Sequence, residues 1–290
     1  MEKILDGRKL ADDLNSDLKF KIQDLILKTG ISPKLATILV GKDPASQIYV
    51  NIKHRTCKQV GIDSVSIQLD ENISKNELIA KIRELNADDS IHGILLQLPL
   101  PESLKGDTSE FLEEISSYKD VDGFHPANRG RLFDYDETLA ACTPKGIIKI
   151  LEHYKVDIKG KDVVVINRSN LVGKPLIFML LKRNATVTVC HTSTKNIEAH
   201  MKRADILIVA VGKPNYVTKE KIKEGVVIID VGTNRVDGKL CGDVDFEGVI
   251  DKCAKITPSP GGVGPMTVAS LLQNTFITYK NQNINIGRIE

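Results

Sequence analysis

The chain has 290 residues, forty basic against thirty-eight acidic side chains, a formal charge of +2 and 4% aromatic residues. That length accommodates two domains of ordinary size, and the balanced charge, with no Lys/Arg block, argues against a nucleic-acid surface and for a small, soluble ligand. No run approaches the roughly 18 apolar residues of a membrane span, and five cysteines with no C-x-x-C pair argue against a disulfide framework or a structural zinc site. The expected setting is the cytoplasm, with reduced thiols and no membrane insertion.

Apolar residues recur at helical spacing from Leu10 to Leu27, and Gly30 supplies the stop. Leu35 to Val40 reads as a strand, and Gly41 with Asp43-Pro44 opens a helix that Gly61 closes. Val65 to Leu69 is a second strand, Ser74-Lys75-Asn76-Glu77 a capping-box start to a helix reaching about Asn86, and Ile91 to Leu98 a third strand. This β-α-β-α-β alternation predicts a parallel sheet. A second alternation follows Asp122. Thr143-Pro144 has N-cap and first-turn chemistry, Asp162 to Ile166 is a strand, and Gly173-Lys174-Pro175 starts the next helix. Strand Ala185 to Cys190, a helix to about Arg203, strands Asp205 to Val211 and Val226 to Val231, and a last helix from Thr267 to Tyr279 complete it. The second half has the pattern of a doubly wound dinucleotide-binding domain.

After the strand Asp162 to Ile166 comes Asn167-Arg168-Ser169-Asn170-Leu171-Val172-Gly173. A strand, a tight turn and a helix N-terminus can present backbone N–H groups to a pyrophosphate. The G-x-G-x-x-G spacing is absent, with Asn167 where a first glycine might stand; asparagine tolerates left-handed backbone, so the turn is expected to survive. The following strand ends in Cys190-His191-Thr192-Ser193-Thr194-Lys195, with no carboxylate for a ribose 2′-hydroxyl. Hydroxyls and a cation, with Arg168 across the turn, suit a 2′-phosphate and favour NADP over NAD. Capping of a helix beginning near Asn196 is the competing reading.

Tyr49-x-x-x-Lys53, Gln97-Leu98-Pro99-Leu100-Pro101, Asp120-Val121-Asp122-Gly123-Phe124, Thr143-Pro144 and Pro258-Ser259-Pro260-Gly261-Gly262-Val263-Gly264-Pro265-Met266-Thr267 together resemble the methylenetetrahydrofolate dehydrogenase/cyclohydrolase family, in order and over nearly the whole chain. The resemblance implies an N-terminal catalytic α/β domain over residues 1–122, completed by a C-terminal helix at 267–290, and a Rossmann NADP-binding domain at 123–266, with a cleft between them. It implies oxidation of 5,10-methylenetetrahydrofolate with NADP, hydrolysis of the methenyl product to 10-formyltetrahydrofolate, and a homodimer. The six histidines show no metal-ligand spacing, so no metal is expected.

On this resemblance the catalytic residues are Lys53, Tyr49, Gln97 and Asp122. The substrate contacts are these four with Leu98, Pro99, Pro260, Gly261, Gly262 and Val263, and the nucleotide contacts are Asn167, Arg168, Ser169, Gly173, Thr192, Ser193, Gly212 and Thr233. Hydride loss leaves an amidinium shared by N5 and N10 and asks for geometry. Hydrolysis needs proton transfer, to which a desolvated lysine is suited. Tyr49, one turn before Lys53, borders the same surface, Gln97 orients the lysine, Asp122 faces the pterin, and the glycines allow close backbone approach. The family usually carries Gly-Arg-Ser where this chain has Asn167, which bears on the pyrophosphate and on the choice of NADP or NAD. The competing functions are a monofunctional cyclohydrolase, an NAD-preferring dehydrogenase, and a non-catalytic nucleotide-binding protein. Joint retention of Tyr49, Lys53, Gln97 and Asp122 argues against the last.

Overall fold

A computed structural model describes residues 3–284. Met1, Glu2 and the stretch 285–290 at the end of the expected C-terminal segment lie outside the described residues. Two compact units are present, Asp13–Arg131 with Thr138–Ala140 and Leu271–Glu290, and Met1–Asp12 with Leu132–Glu137 and Ala141–Ser270. Both are α/β units on parallel sheets, as the alternation predicts.

The elements in chain order are α1 (Gly7–Thr29), β1 (Lys34–Val40), α2 (Pro44–Val60), β2 (Asp63–Leu69), α3 (Lys75–Ala87), β3 (Gly93–Leu96), α4 (Glu102–Lys105), α5 (Thr108–Glu114) and α6 (Pro126–Arg131). They continue with α7 (Cys142–His153), β4 (Asp162–Ile166), α8 (Gly173–Lys182), β5 (Thr186–Cys190), α9 (Ile197–Arg203), β6 (Ile206–Val209), β7 (Val227–Asp230), β8 (Asn234–Val236), β9 (Lys239–Cys241), α10 (Phe246–Val249), β10 (Lys255–Ile256) and α11 (Val263–Ile284).

The first unit carries a parallel sheet in the order β2-β1-β3. β1 is central, and its residues from Leu35 to Val40 are all buried, the continuous apolar run of a strand covered on both faces. Its helices begin and end where local chemistry requires. Asp43 accepts from Ser46 N at 2.7 Å at the start of α2, Pro44 follows, and Gly61 closes the helix in left-handed backbone (φ 89°). Ser74 and Glu77 form the expected capping box on α3. The third strand is shorter than the sequence predicts. Backbone pairing still reaches Gln97 N, which donates to Ile38 O at 2.9 Å, but Pro99, on the cis Leu98–Pro99 bond, has no N–H for a ladder. The segment from Pro101 to Asp122, given no element by the sequence, holds α4 and α5, and Phe111 of α5 is fully buried.

The second unit carries five parallel strands in the order β10-β7-β6-β4-β5. From β4 the chain crosses to β5 on one flank and then returns to β6 on the other, which is the topological switch of a doubly wound sheet. Register is level at the C-terminal ends: Ile166 pairs with Cys190 and with Val209, and Val209 with Asp230. Two expectations are corrected here. The position before α7 is Ala141, without a side-chain cap; Thr143 lies inside the helix, and its Oγ1 is 3.0 Å from Thr267 Oγ1. The last helix starts at Val263 rather than Thr267, because Pro265 falls in a first turn whose N–H groups have no helical acceptor.

Two buried carboxylates close the far end of this sheet. Asp230, 4% exposed, accepts from Gly232 N, Asp243 N and Val244 N, each at 3.0 Å. Asp243, 0% exposed, accepts from Val211 N (2.6 Å), Gly212 N (3.1 Å), Lys213 N (2.9 Å) and Asn234 Nδ2 (2.9 Å). Burial pushes Asp230 up to about 6 against the pull of its backbone donors, and the Asp243 carboxylate adds to the rise.

Replacement Ser74→Ala is expected to lower stability by about 1 kcal/mol, read as an earlier urea transition of the unit that holds α3. The folded carboxyl of Asp230 gains its proton near pH 6 and the unfolded one only near 4, so this group favours the folded state increasingly as pH falls through that interval. Stability of the wild type relative to Asp230→Asn should therefore rise by up to about 3 kcal/mol between pH 7 and pH 4; equilibrium unfolding at several pH values reads it.

Candidate active site

Helix α2 places Tyr49, Lys53 and Cys57 one above another at successive turns. Burial deepens along that line, from Tyr49 at 45% exposed through half-buried Lys53 to Cys57 at 0%. Burial also pushes the Cys57 thiol up to about 12, against a hydrogen bond with Ser64 and the charge of Lys53. The thiol therefore stays protonated.

The lysine amine has a defined partner. Lys53 Nζ donates to Gln97 Oε1 at 3.0 Å, and Gln97 Nε2 donates to the carbonyl of Leu98 at 2.6 Å. The second bond fixes which end of the amide faces the lysine. Gln97 is buried at 8% exposure just beyond β3, at the C-terminal sheet edge where ligands bind in open α/β folds. Leu98 is half-buried and Pro99 exposed.

Asp122 is half-buried and reached through a tightly tied segment. The buried amine of Lys119 donates to the carbonyls of Leu85, Asn86 and Asp88 around the end of α3, at 3.1, 2.9 and 2.7 Å. Asp120 accepts from Gly123 N, Phe124 N, His125 N and Asn128 Nδ2, and Asn274 of α11 donates to Val121 O at 2.9 Å. The backbone on both sides of Asp122 is thus fixed.

Pro260, Gly261, Gly262 and Val263 belong to the other unit. The Ser259–Pro260 bond is cis, Gly261 has φ 109°, and Arg8 N donates to Gly261 O at 2.8 Å. The glycines answer different demands. Gly261 supplies a backbone conformation closed to other residues, whereas a Cβ on Gly262 would lie 2.5 Å from Pro258 O and one on Gly264 would meet nothing within 4 Å.

In the same unit every nucleotide candidate follows one of the level strand ends: Asn167, Arg168, Ser169 and Gly173 follow β4, Thr192 and Ser193 β5, Gly212 β6 and Thr233 β7. Asn167 is absent from the described residues with positive φ, so left-handed backbone is not what it contributes. Its side chain turns inward instead. Nδ2 donates to Ala210 O at 2.7 Å beyond β6, and Oδ1 accepts from Ser169 N, Ser169 Oγ and Gly173 N at 2.8, 2.7 and 3.0 Å. Gly173 has no alternative, since a Cβ there would lie 2.2 Å from Asn167 O. After β5, Thr194 Oγ1 accepts from His191 N at 2.9 Å, while the cap position of α9 is Asn196, with φ 49° and no side-chain cap bond. Arg168, Thr192, Ser193, Lys195, Gly212 and Thr233 are exposed. Exposed hydroxyls and cations along one sheet edge suit a dinucleotide phosphate. Asp230 and Asp243, which hold this edge, carry no recognisable motif; two carboxylates flanked by Gly232 and Gly242 were the available signal.

All five cysteines are free. Among the described residues no group of three or more His, Cys, Asp or Glu side chains could hold a metal ion, and no helix is long and apolar enough to cross a membrane.

Residues 5–122 match the catalytic-domain model of tetrahydrofolate dehydrogenase/cyclohydrolase, and residues 141–283 match its NAD(P)-binding-domain model. The bifunctional protein FolD of Nautilia profundicola is 52% identical over 279 residues, covering 96% of this chain and 97% of that one. The structure of the bifunctional FolD methylenetetrahydrofolate dehydrogenase/cyclohydrolase of Campylobacter jejuni superposes with a TM-score of 0.93 at 50% identity, covering 96% of this chain and 98% of that one. That of Trypanosoma brucei, complexed with NADP cofactor and inhibitor, gives 0.91 at 36% identity, covering 96% and 97%. With both domain models matched in order and these relatives spanning nearly its full length, the chain belongs to the tetrahydrofolate dehydrogenase/cyclohydrolase family.

Proposed function

We propose that the protein oxidises 5,10-methylenetetrahydrofolate to the 5,10-methenyl compound with NADP and hydrolyses that product to 10-formyltetrahydrofolate. The observation that carries this reading is the hydrogen bond from Lys53 Nζ to Gln97 Oε1, in a chain whose two halves match the family's two domains.

In the first reaction the bridging carbon gives up a hydride, and the positive charge left behind is shared by N5 and N10. NADP, when bound, supplies the hydride acceptor. Arg168, Thr192, Ser193 and Thr233 would hold it by their exposed polar groups beside the exposed Gly212, while Asn167 fixes the Ser169 and Gly173 backbone of the turn. The protein contributes position more than acid or base strength: Asp122 faces the pterin N–H and amino groups, a geometry suited to paired hydrogen bonds, Tyr49, Leu98 and Pro99 border the folate rings, and the family resemblance adds Pro260–Val263 as substrate contacts.

In the second reaction water adds to the same carbon and loses a proton, N5 is protonated, and the bond from carbon to N5 breaks as the remaining hydroxyl proton leaves to solvent, which forms the formyl C=O on N10. Lys53 is the group that takes the water proton and delivers one to N5. Gln97 directs the amine, and because its Nε2 is turned to Leu98 O, its Oε1 is the end that accepts from the lysine. The division we propose is a catalytic domain over 1–122 completed by 267–290, with a nucleotide domain over 123–266. A cytoplasmic homodimer with folate substrates and no nucleic-acid partner completes the reading, supported by the five free thiols, the balanced charge and the family resemblance.

Replacement Lys53→Met should retain folate binding and lower methenyl hydrolysis by about a hundredfold or more, followed as loss of methenyl absorbance; undiminished hydrolysis refutes the role given to the lysine. Methylenetetrahydrofolate should drive reduction of NADP, seen as nicotinamide absorbance, with NAD a much poorer acceptor. Equal or faster rates with NAD defeat the assignment of the residues after β5 to a 2′-phosphate.

A further inference from the structure

Immediately beyond β6 the chain leaves the sheet through Ala210, Val211, Gly212 and Lys213. Four successive backbone groups of this segment are held by two side chains. Asn167 Nδ2 takes the carbonyl of Ala210 at 2.7 Å, and the Asp243 carboxylate takes the N–H groups of Val211, Gly212 and Lys213 at 2.6, 3.1 and 2.9 Å. Without that carboxylate, three consecutive amides would need other acceptors to keep this shape.

Asp243 is itself immobilised. Its N–H and that of Val244 both donate to Asp230, and Asn234 Nδ2 donates to its Oδ1 at 2.9 Å. The surrounding chain leaves room for nothing else. A Cβ on Gly232 would stand 2.1 Å from the Asp243 carboxyl carbon, and one on Gly242 would stand 1.8 Å from Asp230 Oδ2. The far side of the held segment is open. Gly212 is exposed with φ 67°, and a Cβ there would meet nothing within 4 Å. A fully buried carboxylate on one side and a bare backbone on the other describe a surface shaped before any ligand arrives.

We propose that Asp243 is a positioning residue for the nucleotide: it fixes the Val211–Lys213 segment in the form that receives the dinucleotide, with Asp230 fixing Asp243 in turn. Asp243 is wholly buried and acts through the backbone it holds. The inference rests on the reading of Gly212 as a nucleotide contact.

The test is Asp243→Asn, which keeps the shape but turns an NH2 group towards backbone donors. Methenyl hydrolysis, which uses no nucleotide, serves as the folding control. The expected result is a rise of about tenfold or more in KM and Kd for NADP, with kcat at saturating NADP and methenyl hydrolysis each changed less than about threefold. Unchanged KM and Kd overturn the proposal. Should Asp243→Asn lose hydrolysis as well, Asn234→Ala decides: Asn234 Nδ2 donates to the same Oδ1 that takes Lys213 N, so its removal frees the carboxylate to turn away from the amides; a raised KM for NADP with hydrolysis retained supports the proposal, and an unchanged KM overturns it. Failure of the wild type to bind or reduce NADP would instead remove the nucleotide reading itself, which the same titration detects before any variant is made.

Discussion

Parallel strands that stop at one height leave their last carbonyls and the amides that follow without partners, and a buried sheet edge cannot leave such groups unmet. Short polar side chains meet them in both units. In the three-stranded sheet Gln97 bonds to the next carbonyl and has one oxygen left for Lys53. Beyond that sheet Asp120 gathers the amides of Gly123, Phe124 and His125. In the five-stranded sheet Asn167, Asp230 and Asp243 do the same for the loops after β4, β6 and β7. Within each unit the groups read as chemical thus lie at the same sheet edge as the groups that finish the fold.

This shared duty explains why the site is rigid where it is. A glutamine free at both ends would sample several rotamers; one anchored on Leu98 O offers a single acceptor in a single direction. An asparagine at the start of a phosphate turn would crowd it if it pointed outward. Here it points inward and replaces backbone freedom with four hydrogen bonds.

Elements governed by neighbouring residues were legible in the sequence. Asp43-Pro44 with Gly61 bounds α2, Ser74 with Glu77 starts α3, and the run Asp162 to Ile166 is β4 to the residue. What eluded the sequence depends on distant partners or very short pieces. The end of β3 is set by a proline, and α4 and α5 are too short for helical periodicity to register. Thr143 has the composition of a cap but lies near Thr267, far along the chain. Lys53 and Gln97 were legible through motif resemblance, since 44 residues separate them. Asp243, some thirty residues from the amides it holds, belongs to no local pattern.

Helix α11 is unusual in burying polar residues as well as apolar ones. Asn274, Thr275, Thr278 and Tyr279 are all 0% exposed, and Asn274 holds the carbonyls of Val121 and Ala140. All of these residues belong to the unit whose strands are encoded in the first third of the chain. Domains commonly fold in turn as they leave the ribosome, the N-terminal one first. Here the sheet β2-β1-β3 is encoded early, but the α11 residues that hold Val121 and Ala140 follow every strand of the other unit in the chain, so the first unit gains its last packing partner only after the second has been made.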